Sequence, residues 1–281
     1  MYICRVIIVK THAEGAMVAD YEIQKILEKH LEAIDLTLDD MIEAEFVHDS
    51  IHLFRESIRQ FRALMFFCVD IVRSSDYRMV ESLSKKYFNM TSLIREIDEF
   101  ERGYADFMGT ETLKKLTLIK EPLLERMKIE LEETKGFRFQ QIKVHMKPIR
   151  TKDKVDPCFN SRQCELIDTF LEKEGGEFFE EKYIHAKRIL AKKLSYIHKI
   201  LMPEELAFVA INTQLEAFQI IAKQLHDVCV NLRFVGQYKL DDQDLITKLV
   251  HDHMVFTVLA EEQYQKTCDV MRNFLNEKKV K

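Results

Sequence analysis

Two apolar series with alternating steps of four and three residues constrain this chain more than any other feature. Val47, Ile51, Phe54, Ile58, Phe61, Met65, Cys68 and Val72 form one series; Phe208, Ile211, Leu215, Phe218, Ala222, Leu225, Cys229 and Leu232 form the other. Such spacing keeps one seam on one side of an α-helix for many turns and favours left-handed packing against long partners. Upstream, the first seam runs through Leu27, Leu31, Ile34, Leu38 and Met41, then passes Ala44 with two steps of three, a stammer that overwinds or bends a coiled coil. The pattern predicts a first helix from about Met17 to Arg73, roughly 85 Å long at about 1.5 Å per residue.

Further elements follow from the breakers. Ser74-Ser75-Asp76 reads as a turn and N-cap. The second helix carries Leu83, Tyr87, Met90, Ile94, Ile97, Tyr104 and Met108 on one face. Gly109-Thr110 weakens it, with Thr110 able to cap a restart. Pro122 falls inside the continuing pattern of Leu116, Leu123, Met127 and Leu131, which predicts a kink rather than a stop, and the helix should end near Lys147-Pro148. Residues 149–157 read as a loop and Ser161 to Glu174 as a short helix ended by Gly175-Gly176. A third long helix should run from about Glu177 to Val235, bent at Pro203 and stopped by Gly236. Asp241 or Asp242 then caps a final helix through Leu245, Leu249, Phe256, Leu259, Met271 and Leu275.

With only 7 Gly and 4 Pro in 281 residues, turns are few and elements long. The one β-branched run is Arg5 to Val9, so the fold class is all-α. The organisation expected is an N-terminal lead (1–16), a helical domain (17–236) and a C-terminal helical extension (237–281). A net charge of -5 excludes a chain-wide basic nucleic-acid binder, and any anion-binding surface must be a local patch. Six scattered cysteines without a CxxC fit a reduced, intracellular protein. No apolar run approaches the roughly 18–20 residues that span a bilayer. Met1 to Lys10 lacks the organisation of a signal peptide. Its apolar residues Tyr2, Ile3 and Val6 to Val9 are too few for a substantial membrane wedge. A cytoplasmic location follows.

Catalytic signals are sparse. Glu45-Phe46-Val47-His48 is an ExxH, but a di-iron bundle needs a second one and further carboxylates. His48 with His52, and His251 with His253, lack partners to complete a metal set and read as surface histidines. There is no Gly-rich phosphate loop, GxSxG elbow or HExxH. The expectation is a non-enzyme with neither metal nor cofactor. Apolar doublets such as Leu64-Met65-Phe66-Phe67, Phe178-Phe179 and Ile220-Ile221 are too wide for one seam and suggest helices packed on two sides, as in a six-helix dimer. The alternative is a monomeric bundle with the C-terminal helix as fourth member.

Asn212 to Phe218 (NTQLEAF) resembles the Gln-Leu-Glu-aromatic run in the last helix of endophilin-like BAR domains. Ile119-Lys120-Glu121-Pro122-Leu123, with Glu130-Leu131 and Lys135, is similar to their kinked middle helix, and Lys182-Tyr183 falls where their third helix starts. The resemblance covers residues 17–236. It implies three long kinked antiparallel helices in an elongated coiled-coil protomer, paired as a six-helix homodimer that senses or stabilises membrane curvature, as in endocytosis or membrane trafficking. Phe208, Ile211, Leu215, Phe218 and Leu225 would line the dimer seam, and Pro122 and Pro203 would set the curvature. Anionic phospholipid would meet Arg138, Lys143, Lys147, Arg150, Lys152, Lys154, Lys182, Arg188, Lys192 and Lys193, each worth about 1 kcal/mol near the surface. Asp153, Asp156, Glu180 and Glu181 dilute that charge. The chain departs from the family in a longer segment at 158–176, in the helix after Gly236 and in having no SH3 domain. The alternative is a helical scaffold that binds protein partners through the C-terminal helix without touching lipid.

Overall fold

The computed structural model describes residues 20–134, 137–145, 155–172, 181–201 and 206–280, and among them the regular elements are all helical. The N-terminal lead lies outside the described residues. The all-α fold class holds. The chain divides into two compact units, one within Met17–Val155 and the other within Asp156–Lys281.

The N-terminal unit contains α1 (Asp20–Glu43), α2 (His48–Phe67), α3 (Ser74–Met90), α4 (Ser92–Tyr104) and α5 (Thr110–Glu133). The expected single helix from Met17 to Arg73 is broken at the stammer. Glu45 and Phe46 take left-handed backbone conformations (φ 52° and 63°), which cost about 1–2 kcal/mol each for non-glycine residues. The Phe46 N–H donates to the Met41 carbonyl at 2.9 Å and closes the end of α1. The chain then turns back, and α2 packs on α1. Ile23, Leu27, Leu31, Ile34, Leu38 and Met41 on α1 are buried, as are Ile51, Phe54, Ile58, Phe61 and Met65 on α2. The hydroxyls of Thr37 and Ser57 share a hydrogen bond of 2.9 Å between the two helices. The long partner that the spacing demands is the other half of the same seam.

The expected second long helix is also divided. At Thr91, three side-chain donors converge on the Phe88 carbonyl: the Thr91 hydroxyl (3.1 Å), the Ser92 hydroxyl (2.9 Å) and the Arg55 guanidinium (2.6 Å). A 3-10 turn at Ala105–Phe107 separates α4 from α5, and Gly109 rather than Thr110 holds the N-cap position. Likewise Arg73, not Ser74, occupies the N-cap position of α3. Pro122 lies inside α5, on its exposed side, and the helix continues through it. α5 ends at Glu133 rather than near Lys147, where the Thr134 hydroxyl bonds back to the Glu130 carbonyl at 3.1 Å. Buried Asp35 then accepts the backbone N–H groups of Phe139 (2.7 Å) and Gln140 (2.9 Å). This seats Phe139 against Tyr87, with ring centroids 5.1 Å apart.

The C-terminal unit is built from α6 (Val155–Leu171), α7 (Glu181–Leu201), α8 (Leu206–Tyr238) and α9 (Gln243–Val280). α6 starts earlier than its expected bound at Ser161. The expected third helix is present as α7 and α8; Pro203 and the Gly175-Gly176 stop lie outside the described residues. α8 packs on both α7 and α9. Phe170 of α6, Phe218 of α8 and Tyr264 of α9 meet at centroid distances of 5.2–5.8 Å. Buried His198 of α7 donates from Nδ1 to Asn212 Oδ1 of α8 (2.8 Å) and accepts from the Gln163 amide of α6 (2.8 Å). Gly236 does not stop α8. Lys239 does, at φ 49°, with the Leu240 N–H returning to the Val235 carbonyl at 3.0 Å and Leu240 buried behind it. Asp242 caps α9 as expected, accepting the Leu245 N–H at 3.4 Å.

Candidate functional site

The basic residues singled out by the resemblance fall in both units. In the N-terminal unit Arg138 is half-buried and donates to Asp39 at 2.6 Å in a bond open to solvent, which raises its guanidinium pKa. Lys143 is exposed because buried Ile142 and Val144 flank it. Lys147, Arg150, Lys152 and Lys154 lie outside the described residues. In the C-terminal unit Lys182 is exposed, and Arg188, Lys192 and Lys193 are half-buried along α7. The Lys192 ammonium sits 6.0 Å above the Tyr196 ring.

Sequence reasoning passed over the residues beside them. The rings of His185 (α7) and His226 (α8) lie face to face across the helix pair, with centroids 4.4 Å apart and planes tilted by 33°. Burial, then the charges of Arg188, His185, Arg233 and Lys223, push the His226 imidazole down to about 3. Burial, with Arg188 and Arg233, lowers His185 as well. Both rings are therefore neutral at pH 7, in a field set by cations. Lys223 also pairs with Asp227 at 2.9 Å. The signal available in the sequence was the spacing: His185, Arg188 and Lys192 share one face of α7, and Lys223, His226 and Arg233 share one face of α8.

The other histidine pair is not on the open surface. Glu45 of the ExxH lies in the turn before α2, so the motif does not share a helix face. His48 Nε2 is 2.9 Å from Glu99 Oε1 and 3.0 Å from Arg95 Nη1, and its Nδ1 is 2.8 Å from Asp49. Arg95 Nη2 donates to His52 Nδ1 at 3.0 Å. Burial, then Arg95 and Arg59, lower His52 to about 4. His251 and His253 lie within α9 rather than a loop. Among the described residues, no group of three or more His, Cys, Asp or Glu is placed to hold a metal ion. Cys68, Cys164, Cys229 and Cys268 form no disulfide, and burial pushes the Cys68 thiol up to about 12. No helix among the described residues is long and apolar enough to cross a membrane.

The seam expected at a dimer interface lies in the core of the C-terminal unit. Ile211, Leu215, Phe218 and Leu225 are buried by the chain's own helices; the Phe208 side chain is outside the described residues. The doublets divide in the same way. Leu64, Met65 and Phe67 are buried within one chain, whereas Ile220 is exposed. Among the described residues, α9 carries a run of exposed apolar side chains. There Val250 (46% exposed), Met254 (59%), Val255 (39%), Val258 (56%) and Leu259 (39%) share one side of the helix. Leu245, Leu249, Ala260, Tyr264 and Cys268 are buried on the other.

No family model matches this chain, and no curated protein matches it. Among solved structures it is similar to PptA from Streptomyces chartreusis, with 12% sequence identity and a TM-score of 0.50 over 92% of this chain and 98% of that one. At that identity the likeness concerns the fold alone.

Proposed function

We propose that this protein is a non-catalytic helical scaffold whose α9 presents an apolar face to a helical partner. One observation carries the reading: five large apolar side chains are exposed on three consecutive turns of a helix that is also apolar on its buried side. A helix that is hydrophobic around most of its circumference belongs in an interior, and contiguous exposed apolar surface marks an interaction site. Exposed Glu261 and Glu262 border the stripe. Carboxylates there favour a protein partner over a bilayer leaflet of negative potential.

Membrane binding is the second reading, and a different surface supports it. Lys182, Arg188, Lys192 and Lys193 on α7, with Lys223 and Arg233 on α8, offer diffuse contacts to anionic headgroups. The curvature-sensing form of that reading drew on helices of roughly 85 Å. The α-helices among the described residues run from 13 to 38 residues, or roughly 20 to 57 Å, shorter than that length.

A photo-crosslinking residue placed at Met254 or Val258 in the full chain tests the first reading. Adducts that map to one apolar helical segment, and are absent when the crosslinker replaces exposed Leu118, are the expected result. No adduct at either position retires the reading. Salt-sensitive co-sedimentation with phosphatidylserine vesicles, unchanged by Met254→Glu, would move the function to the α7 face instead.

A further inference from the structure

We infer that the occupant of the α9 face is a second copy of this chain, docked antiparallel about a two-fold axis passing between Met254 and Val255. The inference rests on the docking reading above and names its partner. At about 100° per residue, the exposed arc of α9 runs from Val250 at one edge to Leu259 at the other, and its centre falls between positions 254 and 255. An axis at that centre, perpendicular to the helix, makes the face complementary to itself. It sets His251 against Val258 and Met254 beside both Met254 and Val255 of the second copy, with Val250 and Leu259 on opposite flanks of the contact.

Beyond the apolar core the same rotation sets Lys248 against Glu262, on the same flank of the face. Lys248 already bonds Asp252 at 2.6 Å, so each end of the pairing would place one ammonium between two carboxylates. Charge and apolar surface therefore match under one symmetry operation, as an isologous interface requires.

The size of the face sets the kind of dimer. Thr247 to Glu262 is about 24 Å of helix at roughly 1.5 Å per residue. Two such faces fall at the small end of interfaces that bury about 1,200–2,000 Å². The dimer should therefore form and dissociate with protein concentration rather than be permanent.

Sedimentation velocity on the purified full chain, over a wide concentration range, tests this. The expected mass rises to twice that of one chain, and Met254→Glu with Val258→Glu returns it to one chain with an unchanged circular dichroism spectrum. Met254→Cys, beside the axis, should give a disulfide-linked dimer on mild oxidation, whereas Leu118→Cys should not. A single-chain mass at every concentration overturns the inference, while photo-crosslinks from Met254 to another protein would still uphold the docking reading. A dimer that survives the double glutamate variant, or a wild-type dimer that Met254→Cys fails to link, also overturns it.

Discussion

Each unit of this protein buries one cation at the end of a helix and sets two histidines beside other helices, but the surroundings differ. In the N-terminal unit Arg55 reaches the end of α3, donating to the Phe88 carbonyl (2.6 Å) and to the hydroxyls of Thr91 (2.8 Å) and Ser92 (3.1 Å). Its guanidinium lies 3.8 Å from the Phe88 ring centroid. In the C-terminal unit Lys187 ends α6, donating to the carbonyls of Thr169 (2.5 Å) and Glu172 (2.7 Å) and facing the rings of Tyr183 and Tyr264. A cation at a helix C-terminus is favoured by the helix dipole, so both units use one device. Their histidines separate them. His48 has Glu99 and Asp49 within hydrogen-bonding distance, whereas the charges that shift His226 are all positive. Charge is balanced locally in the first cluster. In the second, Arg188, Arg233 and Lys223 all act on His226 in the same direction, although Lys223 also pairs with Asp227.

The largest effect should separate the two buried cations. Lys187→Met leaves the last carbonyls of α6 without their donor, at an expected loss of about 2–4 kcal/mol. Arg55→Met should cost less, about 0–2 kcal/mol, because the Phe88 carbonyl keeps two hydroxyl donors and the cation it removes is already penalised. Burial, then Arg59 and Arg95, bring the Arg55 pKa down to about 9. Urea unfolding of the two variants, with the slope checked for a change in the unfolded state, gives the order. A greater loss from Arg55→Met would break the proposed parallel.

Acid stability sharpens the contrast between the histidine pairs. An imidazole whose pKa is lower in the folded state binds fewer protons there than when unfolded, so stability rises with pH between the two values. The contribution is flat above the ordinary 6.5 and is lost as pH falls toward about 3 for His226 and about 4 for His52. His226→Gln should therefore flatten the fall in melting temperature between neutral and acid pH, and His52→Gln should flatten it less. Equal effects would mean that the cations around His226 add no more than Arg95 and Arg59 add at His52.

Legibility in the sequence followed the range of the interaction. Seam positions depend on local spacing, and Leu27 to Met41, Ile51 to Met65 and Ile211 to Leu225 are buried as that spacing requires. The Asp242 cap is equally local. Whether a helix continues is not. Glu45 and Phe46 carry none of the glycine that usually marks a left-handed turn, so the break between α1 and α2 was visible only as a stammer. Gly236 was the converse, a glycine inside a helix whose stop is Lys239. The α7–α8 histidine seam depends on two helices meeting 41 positions apart, from His185 to His226. Only the basic spacing on each helix hinted at it. The α9 stripe is not legible in the series Leu245, Leu249, Phe256 and Leu259, which mixes two sides of the helix: Leu259 is exposed and the buried side runs through Leu249, Ala260 and Tyr264.

The smallest expected effect comes from a cation in a solvent-exposed ion pair. Arg138 bonds Asp39 at 2.6 Å, much as Lys187 bonds its carbonyls, but in water. An ion pair there is worth about 0–1 kcal/mol, since solvent screens it and two long side chains lose freedom to hold it. Arg138→Ala should shift the urea midpoint by little or nothing, against the large loss at Lys187. That difference makes Arg138 useful as a probe. Because the fold does not depend on it, Arg138→Ala combined with Lys143→Ala reports on anion binding alone. If vesicle co-sedimentation is unchanged in this pair but lost when Lys182, Lys192 and Lys193 are replaced, the α7 face of the C-terminal unit is the surface that matters. Loss from the first pair would instead place binding in the unit where charge had been judged locally balanced.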